Sequence, residues 1–349
     1  LGWRPQMQGL KPPQQRWCHI SGLDLIRDGE GTWRVLEDNL RCPSGVAYFL
    51  ENRRVMKQLF GDLFQRQRVA PIDDYPSKLL RMLKGLAPWS PEPYVVILTP
   101  GVHNSAYFEH SYLARLMGVQ LVEGSDLTCE GGKVWLRSTS GLSRVDVIYR
   151  RNEDRIGRES DGSSAWLGVP GLQRVAAARN VQIANLPGAG IGSDKALYRH
   201  VGSMIRYYLG EEALIEQVPT FSCQEPKELE HVLHHLNQMV VKPVDGAGGF
   251  DMLHGPTASA AECDAMTASL QAHPERFIAQ PAQMLHTLPT LIGEQLKHCA
   301  VDLRPVSLLG NTPQVLPGAL TRVAPPGSSI VNLNRGGSLK DTWILDDAA

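Results

Sequence analysis

A lysine beside a glycine-rich turn is the clearest chemical signal in this chain. Residues 240–249 read Val-Val-Lys-Pro-Val-Asp-Gly-Ala-Gly-Gly, with Lys242 ending an apolar, β-branched run. Because glycine lacks a Cβ, the backbone N–H groups of this turn can approach phosphate oxygens, and Lys242 can place a positive charge on the same oxygens. The spacing matches neither G-x-x-x-x-G-K-[ST] nor a helix-opening G-x-G-x-x-G. Taken alone, the run suits a hairpin turn beside a solvated lysine equally well.

Carboxylate and amide side chains near the N-terminus form a second candidate site. Gly22-Leu-Asp24 precedes a glycine-containing turn at residues 29–31, and Leu36-Glu-Asp-Asn39 follows it, which predicts an antiparallel hairpin. Residues 37 and 39 share one face of a strand, whereas Asp38 points away. Magnesium prefers such oxygen ligands, so Asp24, Glu37 and Asn39 are candidates for metal binding from one face of the hairpin. An acidic hairpin tip is the alternative for an isolated Glu-Asp-Asn.

Composition describes the kind of molecule that must position these residues. The chain has 349 residues, 42% of them hydrophobic, and a net charge of -1, which predicts a globular protein of two or three domains without a nucleic-acid partner. No run of 18 apolar residues and no leader sequence is present, so we expect neither a membrane span nor a signal peptide. The six cysteines lack C-x-x-C spacing, which favours reduced thiols and a cytoplasmic location. Since the first residue is Leu1, we expect a fragment.

Periodicity divides the chain into three parts. Apolar spacing predicts helices at residues 55–64 and 77–86. A strand at 94–99, a helix at 105–117 and a strand at 119–122 then form an α/β layer. The third part holds the glycine-lysine turn, a helix at 196–208 and a series of strands.

The order of signals in the third part resembles the ATP-grasp ligases, particularly the glutathione synthetase branch. Ser193-Asp-Lys195 resembles the N-E-K-L step whose lysine contacts nucleotide phosphates, and Phe277-Ile-Ala-Gln280 resembles the strand that ends at the adenine hinge. An exposed lysine after an Asp194 helix cap is the alternative for Lys195. The resemblance implies ATP as the ligand, bound by Lys195, Lys242, Asp245, Gly246, Gly248, Gly249 and Gln280.

Three further segments resemble catalytic elements of that branch. Val301-Asp-Leu-Arg304 and Leu320-Thr-Arg322 resemble strands whose arginines point toward the transferred phosphoryl group. Residues 331–337 resemble the segment near the acyl phosphate. Arginines on buried strands are costly without an anionic partner, which favours this interpretation over exposed edge positions. The implied catalytic residues are Arg304, Arg322 and Asn334.

The hairpin with Asp24, Glu37 and Asn39 resembles the hairpin that ligates magnesium in this family, which implies these three residues as the metal ligands. It comes first in this chain, whereas the usual ATP-grasp order places it last. This order resembles the circularly permuted ATP-grasp proteins of type 2, some of which are glutathionylspermidine-synthase-like. The implied fold class is α/β (α+β), a circularly permuted ATP-grasp fold with a central pre-ATP-grasp α/β domain. Residues 1–55 would form the metal-binding hairpin segment, 56–185 the pre-ATP-grasp substrate domain, and 186–349 the nucleotide-binding lobes.

Polar residues beyond the predicted strand at 94–99 are candidates for substrate binding, because ligands of open α/β sheets lie at the ends of strands. Asn104 or Ser105 could equally cap the helix that follows, and we favour capping for at least one of them. The Tyr-Arg-Arg segment ending at residue 151 belongs to the same resemblance. The candidate substrate residues are Asn104, Ser105, Tyr107, Glu109, His110, Arg150 and Arg151.

The resemblance implies a carboxylate–amine ligase that uses ATP and Mg²⁺ and acts through an acyl phosphate. Its partners would be a small-molecule or peptide carboxylate and an amine acceptor, with any partner enzyme unknown. Two alternatives remain: a catalytically inactive nucleotide-binding scaffold and a small-molecule kinase. A scaffold has no need of two strands of metal ligands, and only product analysis separates a kinase from a ligase.

Overall fold

The structure is a computed structural model, which describes residues 4–154, 156–158, 164–244, 251–331 and 336–345. Its N-terminal part is a hairpin followed by helices, and the predicted hairpin is confirmed. The helix predicted at 55–64 is divided, because Phe60 leaves helical geometry at φ -131° and ψ 39°. The elements of this part are β1 (Ile20–Arg27), β2 (Trp33–Asn39), α1 (Val46–Leu59), α2 (Gly61–Gln67) and α3 (Tyr75–Lys84).

The central part contains the predicted α/β layer. Its elements are β3 (Val95–Leu98), α4 (Tyr107–Met117), β4 (Gln120–Val122), β5 (Leu127–Glu130), β6 (Lys133–Ser138), β7 (Gly141–Val145), β8 (Val147–Arg150), β9 (Ile156–Arg158), β10 (Ser164–Trp166), α5 (Leu172–Ala177) and β11 (Gln182–Ala184). Four of these strands pair in parallel in the order β11-β8-β3-β4. Such a sheet needs cover on both faces, and its strands are accordingly apolar and buried.

The C-terminal part is richer in strands. Its elements are α6 (Lys195–Tyr198), α7 (Val201–Leu209), β12 (Glu216–Gln217), β13 (Phe221–Ser222), α8 (Pro226–His234), β14 (Met239–Pro243), β15 (Leu253–His254), α9 (Ala260–Ala272), β16 (Phe277–Pro281), β17 (Thr287–Ile292), β18 (Gln295–Leu309), β19 (Pro313–Val323) and β20 (Ser338–Asp341). The single helix predicted at 196–208 is two helices. Across the described ranges, no helix has both the length and the apolar character to span a bilayer.

Both ends of the chain contribute to one sheet. The strand order is β12-β2-β1-β18-β19-β20, with β17 also paired to β18. The N-terminal strand β1 lies antiparallel to β18, where Leu25 is opposite Leu303. The hairpin therefore joins strands that lie far away in sequence, as expected of a permuted order.

Helices fill the space between this sheet and the parallel sheet of the central part. Apolar side chains of α1, α3 and α4 form one buried cluster with both sheets. Representative members are Phe49, Leu79, Leu113, Ile97 and Leu320. The cluster holds the N-terminal hairpin, the central layer and the C-terminal strands in a fixed arrangement.

A buried ion pair also connects the central layer to α1. One oxygen of Glu109 accepts hydrogen bonds from the backbone N–H groups of Gly45 (2.6 Å) and Ala47 (3.1 Å) at the start of α1. The other oxygen accepts from Arg151, which also donates to the carbonyl of Pro43 at 2.6 Å. Glu109 thus satisfies helix N–H groups that would otherwise lack partners.

Replacing Arg151 with methionine is expected to lower the free energy of unfolding by about 3–5 kcal/mol, because the Glu109 charge would remain buried without its partner. Urea denaturation followed by circular dichroism measures this change. Arg206→Met removes an arginine from an exposed pair with Glu212 and should hardly alter the urea concentration at the midpoint of unfolding. Equal midpoints for the two variants would refute the structural role of the buried pair.

Candidate functional site

A cavity of about 710 Å³ lies where the N-terminal hairpin meets the C-terminal strands. Its walls come from the hairpin, the start of α6, strands β14 and β16, and strands β18 and β19. The structure brings together these predicted residues along its walls: Asp24, Glu37, Asn39, Lys195, Lys242, Gln280, Arg304 and Arg322. Candidates for metal, nucleotide and phosphoryl contact therefore share one cavity.

The hairpin presents its carboxylates and amide to this cavity. Asp24 and Glu37 are register partners across β1 and β2, and Asn39 lies two residues further along β2. The Asn39 side chain donates to Oδ1 of Asp24 at 3.4 Å, so residues 24, 37 and 39 share a face as predicted. Asp38, predicted to point away, also lines the cavity. Burial, together with the charges of Glu37 and Asp24, raises the pKa of Asp38 to about 6.

Two lysines lie opposite the hairpin. The Nζ atom of Lys195 is 3.7 Å from an oxygen of Glu37. Lys242 donates a hydrogen bond to Oε1 of Gln280 at 2.8 Å, and the amide of Gln280 donates to Thr220 at 2.9 Å. Burial lowers the pKa of Lys242, and the charge of Glu37 opposes part of that shift. Two ammonium groups therefore face carboxylate and amide oxygens across the cavity.

The cap of α6 helps to place Lys195. The side chain of Asp194 accepts a hydrogen bond from the N–H of Ala196 at 2.9 Å, which is the cap of the alternative interpretation, yet Lys195 lines the cavity. The other predicted residues on the nucleotide side and in the C-terminal segment lie outside the described residues: Asp245, Gly246, Gly248, Gly249 and Asn334.

Both predicted arginines are bound to buried carboxylates. Arg304 donates to Asp24 through Nε (2.5 Å) and Nη2 (2.7 Å). Arg322 donates to Asp24 at 2.7 Å and to Asp302 at 2.9 Å. Although burial by itself raises the pKa of Asp24, the charges of the two arginines hold that pKa well below its usual range. The partners of these arginines in the structure are side chains of the protein, and contact with a transferred phosphoryl group stays a prediction.

Four of the substrate candidates are buried: Glu109, His110, Arg150 and Arg151 are at most 5% exposed. Glu109 and Arg151 form the buried pair described above. Burial lowers the pKa of His110 to about 3, and its Nδ1 lies 2.9 Å from the hydroxyl of Thr99. Arg150 pairs with Asp154 at 2.6 Å. A buried charge is costly without a partner, and Glu109, Arg150 and Arg151 each have one within the protein.

The remaining substrate candidates differ from one another. Ser105 lines the cavity. Asn104 accepts a hydrogen bond from the N–H of Ala106 at 2.9 Å and braces the turn before α4. The capping predicted for Asn104 or Ser105 is not observed, because the N-cap residue of α4 is Ala106, which makes no side-chain cap hydrogen bond. Tyr107 opens α4 and is not among the residues that line the cavity.

Glu37 and Asn39 fit a hard divalent cation, since both offer oxygen ligands and line the cavity. Asp24 does not fit as arranged, because its oxygens face two guanidinium groups. No cluster of three or more Asp, Glu, His or Cys suited to a metal occurs within the described ranges. A magnesium ion here would draw further ligands from water and phosphate, as magnesium commonly does.

Two features of the cavity were missed from the sequence. Asp302 lies two residues before Arg304 on β18, so strand parity could have indicated that both share a face. Arg41 pairs with Glu153 at 2.6 Å at the edge of the cavity. No sequence signal links Arg41 to Glu153, because the two residues are 112 positions apart in the chain.

The fold and the cavity together define an ATP-grasp protein. A glutathione synthetase-like effector from Globodera pallida has the same fold, with a TM-score of 0.61 and 8% identity over 97% of this chain and 79% of that one. Residues 1–324 match the circularly permuted ATP-grasp type 2 family. The chain belongs to this family.

Relatives of known sequence extend beyond the region that they share with this chain. A Synechocystis protein is 51% identical over 97% of this chain and 71% of its own length. A Mycobacterium tuberculosis protein is 48% identical over 97% of this chain and 62% of its own length. A protein of Frankia casuarinae described as a putative glutamate–cysteine ligase is 45% identical over 93% of this chain and 38% of its own length.

Proposed function

We propose that this chain is a carboxylate–amine ligase that uses ATP and Mg²⁺ and acts through an acyl phosphate. The convergence of Glu37, Asn39, two lysines and two arginines on one cavity carries the proposal. Family membership and the ligase description of the Frankia relative support it. We also propose the division into a hairpin segment (1–55), a pre-ATP-grasp domain (56–185) and nucleotide-binding lobes (186–349).

In the proposed reaction, a carboxylate oxygen attacks the γ-phosphorus of ATP, which breaks the bond to ADP and forms an acyl phosphate. An amine then attacks the acyl carbon, releases phosphate and loses a proton, which gives an amide. Bound magnesium would offset charge on the phosphate oxygens. No covalent bond to the protein is required, so the residues act by position and charge.

Each group of cavity residues has a role in that reaction. Lys195 and Lys242 would bind the phosphates of ATP, because their ammonium groups reach the cavity. Glu37 and Asn39 would hold the metal. Arg304 and Arg322 would offset the charge of the transferred phosphoryl group and of the tetrahedral oxyanion.

Hydroxylamine trapping tests the acyl phosphate. The protein is incubated with ATP, Mg²⁺ and single members of a panel of amino acids and short peptides, and ADP and hydroxamate are measured together. The proposal expects equal amounts of both with at least one carboxylate, and an amide when an amine replaces hydroxylamine. ADP with a stable phosphorylated acceptor would indicate a kinase. Binding of ATP with Mg²⁺ but no release of ADP with any carboxylate would indicate a scaffold.

A further inference from the structure

Four charged side chains form a continuous buried network beside the cavity. Asp24 forms ion pairs with both Arg304 and Arg322, and Asp302 forms an ion pair with Arg322 alone. The two carboxylates are 2% exposed, whereas the arginines are 13% and 14% exposed. The carboxylates thus lie deeper than the guanidinium groups, which remain at the cavity surface.

Strand geometry places the network. Asp302 and Arg322 are register partners across β18 and β19, and Arg304 lies on the same face of β18 as Asp302. On β1, a Cβ at Gly22 would lie 3.8 Å from Cδ of Arg304, so the arginine side chain crosses directly over this glycine. It reaches Asp24, two residues further along the same strand. Three adjacent strands therefore orient both arginines.

This arrangement conflicts with metal binding by Asp24. Three guanidinium nitrogens lie within 2.5–2.7 Å of its oxygens. Magnesium binds oxygen at about 2.0–2.1 Å, so an ion on Asp24 would lie beside two positive groups or displace them. Glu37 faces no arginine in the contacts of the described residues, and its nearest cation is Lys195 at 3.7 Å.

We propose that Asp24 and Asp302 are positioning residues that hold Arg304 and Arg322 toward the reacting phosphoryl group. The metal is held by Glu37 and Asn39 without Asp24. This inference rests on the proposed function. Arginine has a long, mobile side chain, and a preorganised guanidinium stabilises developing charge without reorganising during the reaction.

Measurement of metal affinity distinguishes a positioning role of Asp24 from direct ligation of the metal by Asp24. Mn²⁺ serves as the probe, titrated calorimetrically in the presence of a non-hydrolysable ATP analogue, into the wild type and the variants Asp24→Asn, Asp302→Asn and Glu37→Gln. We expect the two Asp variants to bind Mn²⁺ as the wild type does. Glu37→Gln should weaken binding by about tenfold or more, since even outer-sphere partners of a metal contribute that much.

The rate of ATP turnover is the second measurement made on these variants. Both Asp variants should lose about 10²–10³-fold in kcat with little change in the KM for ATP, as for loss of a charge-stabilising group. Asp302→Glu should recover part of the rate, because it keeps the charge beside Arg322. If the Asn variants do not fold, Asp24→Glu keeps the charge and is titrated instead, with unchanged Mn²⁺ affinity expected.

The assignment of Asp24 would be overturned if Asp24→Asn or Asp24→Glu weakened Mn²⁺ binding as much as Glu37→Gln does. An unchanged kcat in Asp302→Asn would overturn that of Asp302. A wild-type protein that binds neither Mn²⁺ nor the nucleotide analogue would overturn the proposed function, and this inference with it. The two failures are therefore distinguishable.

Discussion

Replacing Lys242 with methionine is expected to reduce ATP turnover by about 10²–10³-fold, because the proposed reaction would lose a positive charge beside the phosphates. Lys242 lies on β14 and reaches the cavity, where it donates to Gln280 at 2.8 Å. Methionine keeps much of the apolar stem but cannot donate or carry charge. Release of ADP at saturating carboxylate and amine measures the change.

Lys227→Met is the matched control for this experiment. Lys227 is exposed on α8 in the same part of the chain and does not line the cavity. Its variant should turn over ATP as the wild type does, which would separate loss of the Lys242 charge from a general effect of methionine. Wild-type turnover by Lys242→Met would remove Lys242 from the proposed nucleotide site.

Replacing Glu37 with glutamine is expected to weaken the Mg²⁺-dependent binding of ATP by about tenfold or more. Glu37 lines the cavity and pairs with Lys195, so it lies between the proposed metal and phosphate positions. Glutamine keeps the shape but loses the charge that a hard cation prefers. Calorimetric titration of ATP with and without Mg²⁺ measures the effect, and ADP release should fall with it.

Glu30→Gln provides the comparison for the metal experiment. Glu30 is exposed in the turn of the same hairpin and does not line the cavity. Its variant should retain Mg²⁺-dependent binding. Mg²⁺-dependent binding of wild-type strength in Glu37→Gln would instead show that the metal binds elsewhere.

Local patterns were sufficient for most of the architecture. Alternation along 22–39 predicted the hairpin and the shared face of Asp24, Glu37 and Asn39, because successive side chains on a strand point to opposite sides. Helical spacing predicted α3 and α4 within two residues. The divided helix at Phe60 was not predicted, since apolar periodicity continues through the break.

The site could be predicted as a set of residues but not as a set of contacts. Lys242 was identified from the chemistry of the glycine-lysine turn, and Lys195, Arg304 and Arg322 from the resemblance to the ATP-grasp family; the described cavity contains all four. Contacts between residues that are distant in the chain could not be predicted from the sequence. Nothing in the sequence near Glu109 indicates that it accepts from Gly45, 64 residues away.

The sequence by itself determined the strand parity along the hairpin, because side chains alternate along a strand, and its resemblance to the ATP-grasp family indicated the permuted order. Only the tertiary structure decided which charges are buried together. Asp24 faces Arg304 and Arg322 because strands from both ends of the chain lie side by side. Glu109 and Arg151 became structural for the same reason: a buried charge is stable only beside a partner, and packing selects that partner.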